Sequence, residues 1–178
     1  MTFVYLTGGT HNGRKLKNTS TKTRPSSQMV RSAVFNMISV HGTVLDLFAG
    51  AGLYGLESLS RGASFAYFND IDKESVRCIK ENIHTLKEHT KTHITNLDYQ
   101  TFIDNYAHID FDFVFIDPPY EFSDQEIETI LTHFKDTQST LVVERHKKTK
   151  TVLIDGFSVY KEKTYGIKKI TIYTRNIS

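Results

Sequence analysis

The feature that most constrains this chain is a regular alternation of short apolar runs with amphipathic stretches. Residues 43–48 read as a strand, 52–61 as a helix, 65–69 as a strand, 73–86 as a helix and 92–96 as a strand. The helix at 73–86 is the clearest, because Val76, Ile79, Ile83 and Leu86 share one stripe while Lys73, Glu74, Arg77 and Lys80 face away. The pattern continues with a short helix near 101–106, a strand at 111–116, a helix at 124–134 and a strand at 140–144. Strands joined by helical crossovers pair in parallel, and a parallel sheet must be covered on both faces. Residues 157–165 and 167–173 are β-prone and meet at Gly166, which predicts an antiparallel hairpin on one edge. The expected fold is therefore α/β, with a seven-strand, mostly parallel sheet, helices on both faces and a C-terminal hairpin.

The beginning of the chain is different in character. Residues 3–17 mix β-prone pieces with Gly8, Gly9 and Gly13, which predicts a hairpin or an irregular extension outside the main core. Ser27 can then cap a helix carrying Val30, Ala33, Val34, Met37 and Ile38, with Gly42 as its stop. A chain of 178 residues suits one hydrophobic core. The division expected is a basic extension at 1–25 followed by one domain at 26–178, acting as a monomer.

The net charge of +2 conceals an asymmetry, since Arg14, Lys15, Lys17, Lys22, Arg24 and Arg31 all precede the first acidic residue, Asp46. A basic leader on an acidic body suits an arm for a polyanion, which makes Arg14, Lys15, Lys17, Arg24 and Arg31 candidate RNA contacts. The competing readings are a solvated terminus, or pairing of Arg24 and Arg31 with acids of the body. No stretch approaches the roughly 20 apolar residues that cross a bilayer, and residues 1–6 are too short for a signal-peptide core, so a cytoplasmic protein without membrane contact is expected. A lone Cys78 excludes an internal disulfide and a multi-cysteine metal site, and the histidines lack ligand spacing, so no metal is expected.

Doubly wound sheets bind ligands beyond the carboxyl ends of their strands. After the first strand stands Asp46-Leu47-Phe48-Ala49-Gly50-Ala51-Gly52-Leu53-Tyr54-Gly55, whose glycines let backbone approach a ligand and open a helix. Asp70 ends the second strand, about 20 residues beyond Gly50, where it can accept both hydroxyl protons of a ribose. Gly50, Gly52 and Gly55 also satisfy the dinucleotide fingerprint. Against a nicotinamide enzyme, the chain ends with the sheet and adds no substrate domain.

The fourth strand runs into Asp117-Pro118-Pro119-Tyr120. Neither proline has an N–H, and an ionised carboxylate only accepts, so this loop is built to receive an NH2 group. Acceptors from Asp117 and the Pro118 carbonyl would localise the lone pair of a base's exocyclic amine and offset the charge that develops on nitrogen. Tyr120 can stack on the base. Glu144, at the end of the fifth strand, reads as a buried structural acceptor, and Phe35 and Phe48 read as core.

An ordered set of short motifs spans nearly the whole chain: Gly13-Arg14-Lys15-Leu16; Thr23-Arg24-Pro25 with Val30-Arg31 and Phe35-Asn36; residues 45–52; Leu59-Ser60-Arg61-Gly62-Ala63; residues 117–120; Val142-Val143-Glu144; and Lys163-Thr164-Tyr165-Gly166. In this the chain resembles the bacterial small-subunit 16S rRNA guanine-N2 methyltransferases. The resemblance implies a Rossmann-like class I methyltransferase fold, S-adenosylmethionine as methyl donor, S-adenosylhomocysteine as product, and 16S rRNA as partner, naked or in a ribosomal particle. It implies that Asp46, Gly50 and Gly52 line the methionine end of the donor, Asp70 its ribose and Asp98 its adenine, that Phe48 also belongs to the donor site, and that Asp117, Pro118, Pro119 and Tyr120 hold the target base. Two places depart from the family pattern, Leu97-Asp98-Tyr99 where Gly-Asp-Ala is common and Gln28 where an acid is usual. An adenine-N6 methyltransferase on DNA or RNA, and an inactive rRNA-binding assembly factor, remain alternatives.

Overall fold

The computed structural model describes residues 2–19 and 25–177. Arg24, and the Thr23-Arg24 part of its motif, therefore lie outside the described residues. An antiparallel hairpin, β1 (Thr2–Tyr5) and β2 (Lys15–Asn18), precedes α1 (Pro25–Met37). Then follow β3 (Thr43–Asp46), α2 (Leu53–Ser60), β4 (Phe65–Asn69), α3 (Lys73–Leu86), β5 (Thr92–Thr95), α4 (Tyr99–Tyr106), β6 (Phe113–Ile116), α5 (Asp124–His133) and β7 (Thr140–His146). The long hairpin of β8 (Phe157–Tyr165) and β9 (Lys168–Arg175) completes the fold.

The seven-stranded sheet has the order β5-β4-β3-β6-β7-β9-β8. Its first five strands are parallel, and β9 inserts antiparallel between β7 and β8. Alternation along the strands divides the core in two. Val44, Phe113 and Phe115 face α1, α2 and α3 through Val34, Leu56 and Ile79. Leu45, Val114 and Ile116 face α4 and α5 through Phe102, Ile127 and Ile130. Local signals fix where the helices begin: Asp72 caps α3 by accepting from Ser75 N, and Ser123 and Glu126 form a capping box on α5.

Two expectations change. The first helix begins at Pro25, a favoured first position, and stops at Met37, so Ser27 lies inside it and Gly42 leads into β3 instead of ending it. The leader is also more than an appendage, because Val4, Leu6 and Leu16 are buried in the same cluster as Val34 and Leu56. Burial of such side chains contributes about 1.5–3 kcal/mol each, enough to dock the hairpin as part of the fold.

A buried ion cluster anchors that docking. Glu57, fully buried on α2, accepts from Thr7 N at 2.9 Å, Thr7 Oγ1 at 2.7 Å, Arg31 Nε at 3.0 Å and Arg61 Nε at 3.1 Å. Arg31 Nη2 also donates to the Tyr5 carbonyl at 2.6 Å. A buried charge is tolerated when it is paired and hydrogen-bonded in this way. Gln28 adds a link, its side-chain oxygen accepting from Tyr5 N at 3.4 Å.

Candidate active site

The order of strands reverses between β3 and β6, and crevices at such switch points hold ligands. Two cavities open beyond the strand ends there. The larger, about 420 Å³, is walled by Phe48 after β3, Asn69 and Asp70 at the end of β4, Leu97, Asp98 and Tyr99 after β5, and Asp117, Pro118, Pro119 and Phe122 after β6. The smaller, about 190 Å³, is walled by Asp46, Tyr54, Asp117, Glu144 and Lys168 among others. Phe48 and Asp117 belong to both walls. A wider groove of about 900 Å³ runs between β1 and α1, but it shares no residue with either cavity and contains no charged side chain.

The acids stand in different states of satisfaction. Asp70 accepts from Gly50 N at 2.8 Å and from Asp72 N at 2.9 Å, one bond on each oxygen, which leaves a free lone pair on each. Asp46 is buried and accepts from Gly55 N at 3.0 Å; burial pushes its carboxyl up to about 8 against the pull of that amide, and Asp70 adds to the rise. Asp98 is exposed and caps α4, accepting from Thr101 N at 2.9 Å and Thr101 Oγ1 at 2.6 Å; those bonds hold its carboxyl below the usual range. Asp117 receives no hydrogen bond from any described side chain or backbone group. Burial lifts its carboxyl well above the ordinary value, Glu144 and Asp46 adding and Lys168 opposing.

Of the two glycines, Gly50 adopts φ +55° and a Cβ there would meet nothing within 4 Å, so the turn leaves open space beside it. Neither Gly50 nor Gly52 stands in the wall of either cavity. The Gly52 N–H donates to Ala49 O at 2.6 Å, and a Cβ on Gly52 would crowd Phe68 and Ile79 at 3.2 Å, so it serves the packing of the strand-to-helix turn. Pro118 is buried and no described hydrogen bond ends on its carbonyl, whereas Pro119 is exposed. Tyr120 is 58 % exposed, edge-on to His146 with ring centroids 6.1 Å apart, and sits outside both cavity walls.

The basic leader is largely committed to the body. Arg14 Nη2 donates to Thr85 O at 2.8 Å, Lys15 lies over the Phe3 ring at 3.9 Å, and Lys17 pairs with Glu81 at 2.5 Å. Arg14 and Lys15 remain exposed. Arg31 is only 3 % exposed and engaged with Glu57 and Tyr5, the pairing with an acid of the body that was its competing reading, and it ties α1, α2 and the hairpin together while also lining the smaller cavity.

Phe48 was expected at the donor, but several other site residues carried no signal of their own in sequence. Phe48, Tyr99 and Phe122 form a mutual ring cluster, with centroids 5.4–5.7 Å apart, along the larger cavity. Asn69 ties three strand ends together, donating to Leu47 O and Leu97 O and accepting from Leu97 N and Thr95 Oγ1. In the smaller cavity Tyr54 donates to Glu144 Oε2 at 2.7 Å, and Lys168 Nζ lies 2.5 Å from Glu144 Oε1. Oε1 is buried, and Lys168 is its one partner among the described residues. Burial alone would lower the Lys168 ammonium, but Glu144 outweighs it and holds the group above the ordinary lysine value. An acid ending an apolar strand was the available clue to Glu144; Lys168 had none.

Comparison with known proteins bears on the family and the fold. Residues 4–174 match the family model described as Conserved hypothetical protein 95. The Ribosomal RNA small subunit methyltransferase D of Haemophilus influenzae is 32% identical over 96% of this chain and 93% of its own. The Bacillus subtilis protein YlbH is 30% identical over 94% of this chain and 96% of its own. A solved structure of yhhF from Escherichia coli superposes with a TM-score of 0.85 at 26% identity, covering 99% of this chain and all of that one. The fold is that of the class I methyltransferases, α/β with a mostly parallel sheet and a terminal antiparallel hairpin.

Proposed function

The chain belongs to the Conserved hypothetical protein 95 family, and from that premise we propose that it methylates the exocyclic N2 amine of a guanine in 16S rRNA, using S-adenosylmethionine. The observation that carries this reading is Asp117, a carboxylate with no hydrogen-bond donor among the described residues, standing in the wall common to two cavities. A group transferred between two molecules must cross between their sites, and an amine acceptor belongs at that crossing.

The larger cavity fits the methyl donor. Phe48, Tyr99 and Phe122 offer apolar ring surface to an adenine, and the free lone pairs of Asp70 suit the two ribose hydroxyls. Asp98 stands at the same end, although its carboxylate is also the α4 cap. Gly50, where a Cβ would meet nothing within 4 Å, leaves room at the turn for the methionine end, and Asp46 reaches that end from the wall of the smaller cavity. When bound, S-adenosylmethionine supplies a sulfonium methyl: the amine lone pair forms the new N–C bond, the S–C pair returns to sulfur, and S-adenosylhomocysteine remains.

Asp117 and the Pro118 carbonyl accept from the N2 hydrogens and hold the nitrogen lone pair toward the methyl. Once the bond forms, the nitrogen sheds one proton, and the Asp117 carboxylate, made a stronger base by burial, is placed to take it. The exposed Tyr120 ring can cover the base from the rim. Arg14, Lys15 and Lys17, with Arg24 beyond the described residues, would meet the surrounding phosphates.

The test is methyl transfer from labelled donor to 16S rRNA taken from cells lacking this protein, with the product nucleoside identified. N2-methylguanosine is expected, and Asp117→Ala should lose about 10²–10³ in turnover while S-adenosylhomocysteine affinity is retained. N6-methyladenosine, or RNA binding without transfer, would overturn the proposal.

A further inference from the structure

We propose that Lys168, Glu144 and Asp117 together read the base-pairing edge of guanine, making Glu144 and Lys168 the residues that set base specificity; this rests on the function proposed above. The three are carried on adjacent strands in that order. Asp117 follows Ile116, whose register partner on β7 is Val143, so it stands beside Glu144. On the other side β7 pairs with β9, where Lys168 lies opposite His146 and Ile170 opposite Glu144. All three line the cavity of about 190 Å³, several times the roughly 30 Å³ share of a liquid water.

The polar sequence across this wall is donor, acceptor, acceptor: an ammonium, a carboxylate and a second carboxylate. Guanine presents the complementary series along one edge, an O6 acceptor, an N1–H donor and the N2 amine. With the N2 amine on Asp117, N1–H falls to Glu144 and O6 to Lys168. Adenine placed with its N6 amine on Asp117 would turn the N1 lone pair toward Glu144, acceptor against acceptor.

Glu144 supplies the independent sign that a ligand belongs here. Its side chain is 5% exposed, Oε2 is satisfied by Tyr54, and among the described residues Oε1 meets only the Lys168 ammonium. A carboxylate oxygen has two lone pairs, and an N1–H would fill the one that Oε1 keeps beside the Lys168 ammonium. Tyr54 and Lys168 hold the carboxylate from two sides, so it is oriented before the base arrives.

The experiment first maps the nucleotide that wild-type enzyme methylates, then compares kcat/KM for rRNA ligated to carry guanine or 2-aminopurine at that position. 2-Aminopurine keeps the amine but lacks O6 and presents N1 as an acceptor. Wild type should reject it by on the order of 10⁴-fold, and Glu144→Gln and Lys168→Met should each reduce that ratio to about tenfold. S-Adenosylhomocysteine affinity, read by calorimetry, should stay at the wild-type level in both variants. A ratio unmoved in the folded variants, with wild type still producing N2-methylguanosine, would overturn the specificity assignment and leave the function standing. A wild type that methylates no guanine would overturn both. If Glu144→Gln does not fold, the Lys168→Met ratio decides.

Discussion

The Tyr54 hydroxyl donates to Glu144 Oε2 at 2.7 Å while its ring stacks on Phe115 at 5.1 Å and 13°, so one side chain joins α2 to the floor of the smaller cavity. Tyr54→Phe keeps the stack and removes the donor, leaving the buried Glu144 carboxylate with Lys168 as its one partner among the described residues. A loss of about 1–3 kcal/mol in unfolding free energy is expected. Turnover should fall further than S-adenosylhomocysteine affinity; a variant as stable and active as wild type would remove Tyr54 from this role.

Arg31 and Arg14 should separate cleanly. Arg31→Met breaks one arm of the Glu57 cluster, and a broken buried pair costs about 3–5 kcal/mol, the lower end applying here because Arg61 and Thr7 remain on Glu57. Arg14→Ala and Lys15→Ala should change stability by no more than about 0.5 kcal/mol, yet each should flatten the dependence of RNA affinity on salt by nearly one unit of slope. Denaturant titration and salt-dependent RNA binding measure the two effects. An Arg31→Met protein of wild-type stability would contradict the buried tie.

Asp70→Ala should weaken S-adenosylhomocysteine binding by about 1.5–3 kcal/mol in calorimetry, through loss of the charge-assisted contacts to the ribose. Because Asp70 also accepts from Gly50 N and Asp72 N, the melting midpoint should drop as well. Unchanged affinity in a folded variant would assign Asp70 to the turn alone.

Asp46 predicts a pH dependence of stability. Its carboxyl rises from an ordinary 3.8 to about 8 on folding, so the neutral form is favoured in the native state. That contribution is complete below about pH 4 and is lost as pH rises through 8. Asp46→Asn should therefore match wild type near pH 4 and become increasingly the more stable protein toward pH 8, by about 1.4 kcal/mol for each unit separating the two values. Parallel melting curves for the two proteins across that range would refute the shift.

The alternation of apolar strands with helical stripes was legible because both faces of the parallel strands are buried, which forces continuous runs such as Phe113–Ile116. Asp70 and Asp117 were legible because chemistry gathers at the carboxyl ends of such strands. The docked hairpin was not: its tie to the body joins Thr7, Arg31, Glu57 and Arg61 across long separations, and each reads locally as an ordinary polar residue. Of the aromatic wall only Phe48 was expected at the donor, since Phe48, Tyr99 and Phe122 meet only when three loops converge. Lys168 opens a strand on the far hairpin, and its relation to Glu144 depends on a register no local pattern encodes.

Phe48 and Asp117 serve as a party wall between the two cavities, and this suggests how the enzyme could be inhibited selectively. A single molecule carrying an adenosine at one end and a guanine at the other, joined by a tether short enough to pass Asp117, would occupy both rooms. Its second half would bind as an intramolecular event at millimolar effective concentration, multiplying the affinity of either half without any new contact. Enzymes that share the adenosine room but lack Glu144 and Lys168 opposite it would hold such a compound by one end only.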